Sequence, residues 1–186
     1  MRRAGISIFW VSRSERVEVS GAEKISAVGG QECPPHRARR GMDITWLTER
    51  IALGGGIWNS GNMAEVARAG ITHIVDMQIE FDDTALAVAH GIDVLWNFTD
   101  DDFEPKTAEL FQRGVDFVEQ ALEKPDTKVF IHCAAGVHRA PMMALAVLGS
   151  LGWTMEDAMA LIMARRPVAD FAEVYVRSVE RFLERE

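Results

Sequence analysis

Residues 128–151, KVFIHCAAGVHRAPMMALAVLGSL, decide how the chain is read. Val129, Phe130 and Ile131 are β-branched or aromatic, the types that fit a pleated, buried surface, so 128–132 is predicted to be a strand. From about Val137 to Leu151 the pattern is apolar on nearly every side, as in a helix enclosed all round. Between them lies a short loop, in which Gly136 is free to take positive φ. A tight turn from strand to helix points successive backbone N–H groups inward, and the helix N-terminus adds its partial positive charge. Together they make a cradle for a tetrahedral dianion. The spacing Cys133-x5-Arg139 sets Ala134, Ala135, Gly136, Val137, His138 and Arg139 around that cradle as its binding residues, with Cys133 at its base.

The same field acts on the thiol. A free cysteine has a pKa of about 8.5, and a helix N-terminus with a nearby cation lowers it to roughly 3.5–7.5. Cys133 is therefore expected to be a thiolate and a nucleophile toward phosphorus. Arg139 can fork two hydrogen bonds to phosphate oxygens, and its charge is more useful as negative charge develops. His132 is expected to orient the loop by hydrogen bonding. A leaving alkoxide or phenoxide needs a proton, and Asp100, Asp101 and Asp102 follow a predicted strand that ends at the same sheet edge; one of the three is the expected general acid. Taken singly, each residue has a plainer reading: a buried cysteine as apolar filler, a structural histidine, a solvated loop carboxylate. The plainer reading does not account for Cys, Gly and Arg at this spacing on one strand-loop-helix.

Strand-like and helix-like segments alternate around this stretch. Short strands are predicted over 44–47 and 50–53, then a Gly54-Gly55-Gly56 turn, then a helix over 63–69 with capping side chains in 59–62 and Gly70 at its end. A buried strand over 71–77, a short helix over 83–90 closed by Gly91, and a strand over 92–98 follow. Pro105 suits the first turn of a helix through Leu122, with Phe111, Val115, Val118 and Leu122 on one face. Thr154 with Asp157, and Asp170 with Glu173, read as starts of two further helices, to about Arg165 and Leu183. Trp58 and Phe81 read equally as pocket wall or core. This alternation implies an α/β fold of three layers: a central, mainly parallel sheet of about four to five strands with helices on both faces. In such sheets ligands bind beyond the carboxyl ends of the strands, where Cys133 falls.

Composition bounds the rest. The chain has 186 residues, 48% hydrophobic and 26% charged, enough for a substantial core. Its longest apolar run, 140–148, is too short to span a bilayer. Two cysteines, Cys33 and Cys133, make no secreted-type disulfide framework, so a reducing cytoplasm is the expected compartment. Residues 1–41 carry eight basic residues against four Glu, net +4; the remainder carries twelve basic and twenty-four acidic, net −12. The acidic body argues against nucleic acid or anionic lipid as partner. Residues 1–41 show no sustained period and contain Gly29-Gly30 and Pro34-Pro35; they are expected to be disordered or a non-native extension, with the folded domain over 42–186. The C-terminal residues offer no prenylation box. No stable membrane anchor is expected, and the expected state is a monomer.

His-Cys-x-x-Gly-x-x-Arg resembles the signature of the protein tyrosine phosphatase superfamily, and Gly70-Ile71-Thr72-His73-Ile74-Val75 is similar to its dual-specificity branch; the resemblance covers roughly residues 51–182. It implies a phosphatase working through a cysteinyl-phosphate intermediate, without metal or cofactor. The implied substrates are phosphorylated proteins, phosphotyrosine first and then phosphoserine or phosphothreonine, or a small phosphomonoester. The segment 94–101 is similar to the family's acid-loop approach, which places the acid on Asp101, with Asp100 second. Arg139-Ala140-Pro141 is similar to the phosphatases of regenerating liver, whose prenylated tail and partner cysteine are not matched here; Met77 and Gln78 occupy the latter region. Ala140 departs from the Ser or Thr usual after the arginine, which implies slow release of phosphate. His138 stands where small residues are usual, either as a titratable charge near phosphate or with its ring turned outward at the pocket mouth. The alternatives are a phosphoinositide or small-molecule phosphatase, whose loops in this superfamily usually carry lysines, and a low-turnover phosphate-binding module.

Overall fold

The computed structural model describes residues 41–185; the expectations for residues 1–40 lie outside the described residues. Five strands form one sheet: β1 (Ile44–Trp46), β2 (Ile51–Gly54), β3 (His73–Asp76), β4 (Asp93–Trp96) and β5 (Val129–His132). Their order is β1-β2-β5-β3-β4, with β1 antiparallel to β2 and every other pair parallel. This is the mainly parallel α/β sheet expected from the alternation of segments. β5, buried at every position, occupies the centre.

Side chains alternate across the sheet, and the two faces build separate cores. Ile51, Leu53, Val75, Val129 and Ile131 point to the larger core, covered by α3 (Ala108–Leu122), α4 (Arg139–Ser150), α5 (Met155–Arg165) and α6 (Glu173–Leu183). Ala52, Ile74 and Phe130 point to the smaller core, which takes Met63 and Val66 from α1 (Ser60–Arg68) and Ala87 from α2 (Thr84–Ala87). Helices therefore cover both faces. α4 is buried from Arg139 through Leu148, which explains a helix apolar all round.

Register positions the site. Gly54, His132 and Asp76 lie side by side, and Asp76 pairs with Trp96, so four parallel strands end in one row. The segments that leave this row, beginning at residues 55, 77, 97 and 133, share one edge of the sheet.

Several boundaries differ from the sequence reading. α3 starts at Ala108, not at Pro105: Thr107 caps it by accepting from the Leu110 N–H at 3.3 Å, while the Lys106 N–H goes to Ser178 Oγ at 3.1 Å. α6 is capped at Ala172 and not at Asp170, whose backbone N–H is drawn instead to Val137 O at 2.8 Å. The helix predicted over 83–90 is one α turn followed by a 3-10 turn, Val88–His90, closed by Gly91 at φ 63°. Thr154 does cap α5, accepting from the Asp157 N–H at 3.1 Å. Among the described residues, no helix is long and apolar enough to cross a membrane.

Candidate active site

Cys133 follows the last residue of β5 and is 2% exposed. The Gly136 N–H donates to its sulfur at 3.2 Å, so a loop amide points at the thiol. Gly136 sits at φ 64°, the left-handed region. A Cβ there would also lie within 2.5 Å of Gly54 O and against the Arg166 guanidinium. Glycine is thus required twice, for its φ and for space. Gly136→Ala is expected to lower the melting temperature, the left-handed φ alone costing about 1–2 kcal/mol, and to cut kcat/KM at least about tenfold, since the loop must shift. Thermal melts and steady-state kinetics on the same variant check both.

The loop is held from outside by a residue the sequence reading missed. Arg166, 4% exposed, donates from Nε to Gly136 O at 2.7 Å and from Nη2 to Ala135 O at 3.2 Å. Its other contacts are Asp43, at 2.9 and 2.6 Å, and Thr45 Oγ1 at 3.1 Å. Hydrogen bonding to Arg166 holds the Asp43 carboxyl below its usual range, against the desolvation that opposes it. Arg166 thus fixes two of the loop carbonyls, while the Gly136 N–H turns to the Cys133 sulfur. Gly56 N–H adds a bond to Ala134 O at 3.1 Å. Arg166 closes a helix more than twenty residues downstream of the loop, and only the sheet brings it back.

Arg139 is the first residue of α4 and 3% exposed. Glu80, also missed in the sequence, takes a bidentate grip on it: Nη1 to Oε2 at 2.9 Å and Nη2 to Oε1 at 2.7 Å. Nη1 donates further to Thr99 O at 3.1 Å. A guanidinium has five N–H donors, so what remains is Nε and the second Nη2 hydrogen, one parallel edge. Nε is fully buried without a partner. The Arg139 hydrogen bonds hold the Glu80 carboxyl below its ordinary value. Burial works against charge on Arg139, but Glu80, Cys133 and Asp101 more than offset it.

Asp101 meets the loop. Its Oδ2 lies 4.0 Å from Arg139 Nε and 3.0 Å from His138 Nδ1, and its Oδ1 accepts from Tyr175 OH at 3.1 Å. Asp102 turns away to pair with Lys106, and Asp100 accepts the Asp101 N–H at 2.8 Å. The neighbouring Phe103 has φ 57°, a strained value for a side-chain-bearing residue. Its N–H donates to Tyr175 OH at 2.9 Å, and its ring stacks on Tyr175 and meets His138 edge-on. Burial, reinforced by Asp101, pushes the Tyr175 hydroxyl up to about 12, so it stays a proton donor.

Two histidines depart from expectation. The His138 ring does not turn outward; it bridges Asp101 and Asp170, the latter at 3.3 Å from Nε2. Two acidic loops converge on it, and that attraction sets its direction. His132 makes no side-chain hydrogen bond to the loop. Its ring is buried beside Asp83 at 3.0 Å and Asp76 at 3.7 Å, because position 132 faces the smaller core. Burial, opposed by His132, pushes the Asp76 carboxyl up to about 7. Trp58 is exposed and tilted against the partly buried Phe81 at 6.2 Å, so neither is core.

A thiol on a glycine-bearing loop joins a parallel strand to an uncapped helix whose first residue is an arginine, in an α/β domain. The chain belongs to the dual specificity phosphatase family: the model described as "Dual specificity phosphatase, catalytic domain" matches residues 56–183. The chain is 27% identical over 131 residues to protein phosphatase Slingshot homolog 3 of Rattus norvegicus, covering 69% of this chain and 19% of that protein. It is 29% identical over 91 residues to dual specificity protein phosphatase 26 of Homo sapiens, covering 48% of this chain and 43% of that one. It thus spans less than half the length of either relative. Among solved structures, PTPMT1 in complex with PI(5)P aligns with a TM-score of 0.69 at 18% identity, over 76% of this chain and 95% of the other. Human DUSP28 aligns with a TM-score of 0.67 at 18% identity, over 76% and 93%.

Proposed function

We propose that residues 42–186 are a cysteine-dependent phosphatase domain that hydrolyses phosphomonoesters in proteins, phosphotyrosine first and phosphoserine or phosphothreonine second. The observation that carries this reading is the Nε/Nη2 edge of Arg139, left free by Glu80 and faced by Asp101 at 4.0 Å, beside the Cys133 loop. In this reading that edge and the loop N–H groups hold the phosphoryl oxygens. The Cys133 thiolate attacks phosphorus, the bond to the leaving oxygen breaks, and Asp101 supplies that oxygen's proton. Water then attacks the cysteinyl-phosphate, Asp101 takes its proton, the P–S bond breaks, and inorganic phosphate leaves a thiolate.

Asp101 is favoured over Asp100 because it alone of the acidic triplet contacts His138, Tyr175 and Arg139. Asp101→Asn is expected to lose about 10²-fold in kcat on a poor leaving group such as phosphotyrosine and far less on an activated aryl phosphate. If Asp100→Asn shows that contrast instead, the acid is Asp100. Ala140, fully buried in the first turn of α4, carries no hydroxyl to help the thiolate depart. Ala140→Ser is expected to raise kcat several-fold by speeding breakdown of the phosphoenzyme. An unchanged or lower rate in a folded variant removes that account of slow turnover.

The phosphoinositide reading draws on the PTPMT1 complex with PI(5)P. Against it stand Ala134, Ala135, Val137 and His138, loop positions without a lysine for further headgroup phosphates. Hydrolysis of a phosphotyrosine peptide ahead of PI(5)P by the purified chain supports the protein reading; the reverse order supports the lipid one. Phosphate release no greater than that of Cys133→Ser on either leaves a phosphate-binding module.

A further inference from the structure

Asp76, Asp83 and His132 are each fully enclosed, at 0% exposure. Asp76 and His132 are register partners at the ends of adjacent parallel strands. Asp83 arrives from the start of α2, a cap its side chain does not complete. His132 Nε2 lies 3.0 Å from Asp83 Oδ2 and 3.7 Å from Asp76 Oδ1, yet both ring nitrogens lack a hydrogen-bond partner. So do both Asp83 oxygens, Asp76 Oδ2, and the side-chain oxygen and nitrogen of buried Gln78, whose N–H donates to Asp76 Oδ1. Apart from the His132–Asp83 pair, five buried polar atoms on these four side chains have no partner, a concentration that calls for water or an ion.

We infer that Asp76, Asp83 and His132 form a buried binding site for one divalent transition-metal ion, Zn²⁺ or Mn²⁺, beneath the Cys133 loop. One ligand atom from each residue lies within 4.8 Å of the other two. Bonds of about 2.0–2.2 Å to a common ion put neighbouring ligands about 3–4 Å apart, so the three close on an ion with little movement. One imidazole with two carboxylates suits these ions better than Mg²⁺ or Ca²⁺, which prefer all-oxygen shells, or Cu⁺, which prefers sulfur. Burial points the same way: two carboxyl groups and an imidazole enclosed at 0% exposure lack water to satisfy them, and one shared ion would satisfy all three. The ion joins β5 to the segment 76–83, and that segment also carries Glu80 to Arg139. It thus supports both ends of the loop, as a structural ion that touches no substrate.

The inference does not rest on the phosphatase reading, and its test uses the full chain with Cys33→Ser and Cys133→Ser, which removes both thiols as rival ligands. The protein is stripped with a chelator, loaded with Zn²⁺ or Mn²⁺, freed of excess by gel filtration, and measured by elemental analysis. About one equivalent per chain is expected, with a rise in melting temperature of roughly 5–10 °C over the stripped protein. Both should vanish when Asp76→Asn and Asp83→Asn are added, with circular dichroism reporting their fold. X-ray absorption of the loaded chain needs no further variant: one imidazole in an oxygen-rich shell is expected. Below about 0.1 equivalents with an unmoved melt, the cluster is neutralised by protons and the inference fails. It also fails if a folded double variant keeps its ion, or if the shell holds sulfur or several imidazoles.

Discussion

Cys133→Ser is expected to reduce hydrolysis of an aryl phosphate by a factor on the order of 10⁴ or more, the scale of removing a covalent nucleophile. The loop and the helix end polarise whatever stands at position 133, but they act within limits. A thiol is a far better nucleophile toward phosphorus than a hydroxyl held in the same place. A serine hydroxyl starts several units higher and stays protonated, which makes it a much weaker nucleophile at this position. The substitution is nearly isosteric in a site only 2% exposed, and Gly136 N–H can donate to oxygen as it does to sulfur. The variant should therefore fold and still bind inorganic phosphate, so the loss falls on kcat. Quenching the wild-type reaction in acid should recover phosphate on the protein, and the variant should yield none. Residual activity above about one per cent, free of contaminating enzyme, would exclude the covalent route.

Arg139→Lys is the second large effect, with an expected fall in kcat/KM of about 10²–10⁴. The guanidinium works on two sides at once. Its Nη1/Nη2 edge is spent on Glu80, and Nη1 also reaches Thr99 O, which ties the segment before Asp101 to the end of the Cys133 loop. Its Nε/Nη2 edge is left free, with Asp101 4.0 Å from Nε. A single ammonium cannot satisfy Glu80, Thr99 and two phosphoryl oxygens, although it keeps the charge. A charge-only role predicts modest damage; a geometric role predicts that lysine is nearly as poor as alanine. The loss should be larger in kcat than in KM, because the fork strengthens as charge builds on the transferring group. A loss below tenfold would reduce Arg139 to a source of positive potential.

The two histidines show where sequence reading stops. The pattern around His132 marks it as the end of a buried strand, but not which face receives it. Strand periodicity puts it on the Phe130 side, and only the register with Asp76 and the arrival of Asp83 say what it meets there. His138 looked free because its partners, Asp101 and Asp170, stand 37 and 32 residues away. Glu80 and Arg166 gave no local signal at all. Each is an ordinary charged residue beyond a strand or at a helix end, and each acquires its role by reaching a backbone or a side chain distant in sequence.

The sequence by itself determined the alternation of strands and helices, the loop from Cys133 to Arg139, and the acidic segment at the same sheet edge. These are local matters: side-chain period, turn glycine and helix polarity act over a few residues. The tertiary structure alone decided how the loop is held. Arg166 with Asp43 grips its carbonyls, Glu80 selects the free edge of Arg139, His138 and Tyr175 fix Asp101, and two carboxylates close on His132. Those contacts follow from strand order and register, which bring together residues whose separation along the chain leaves no periodic trace.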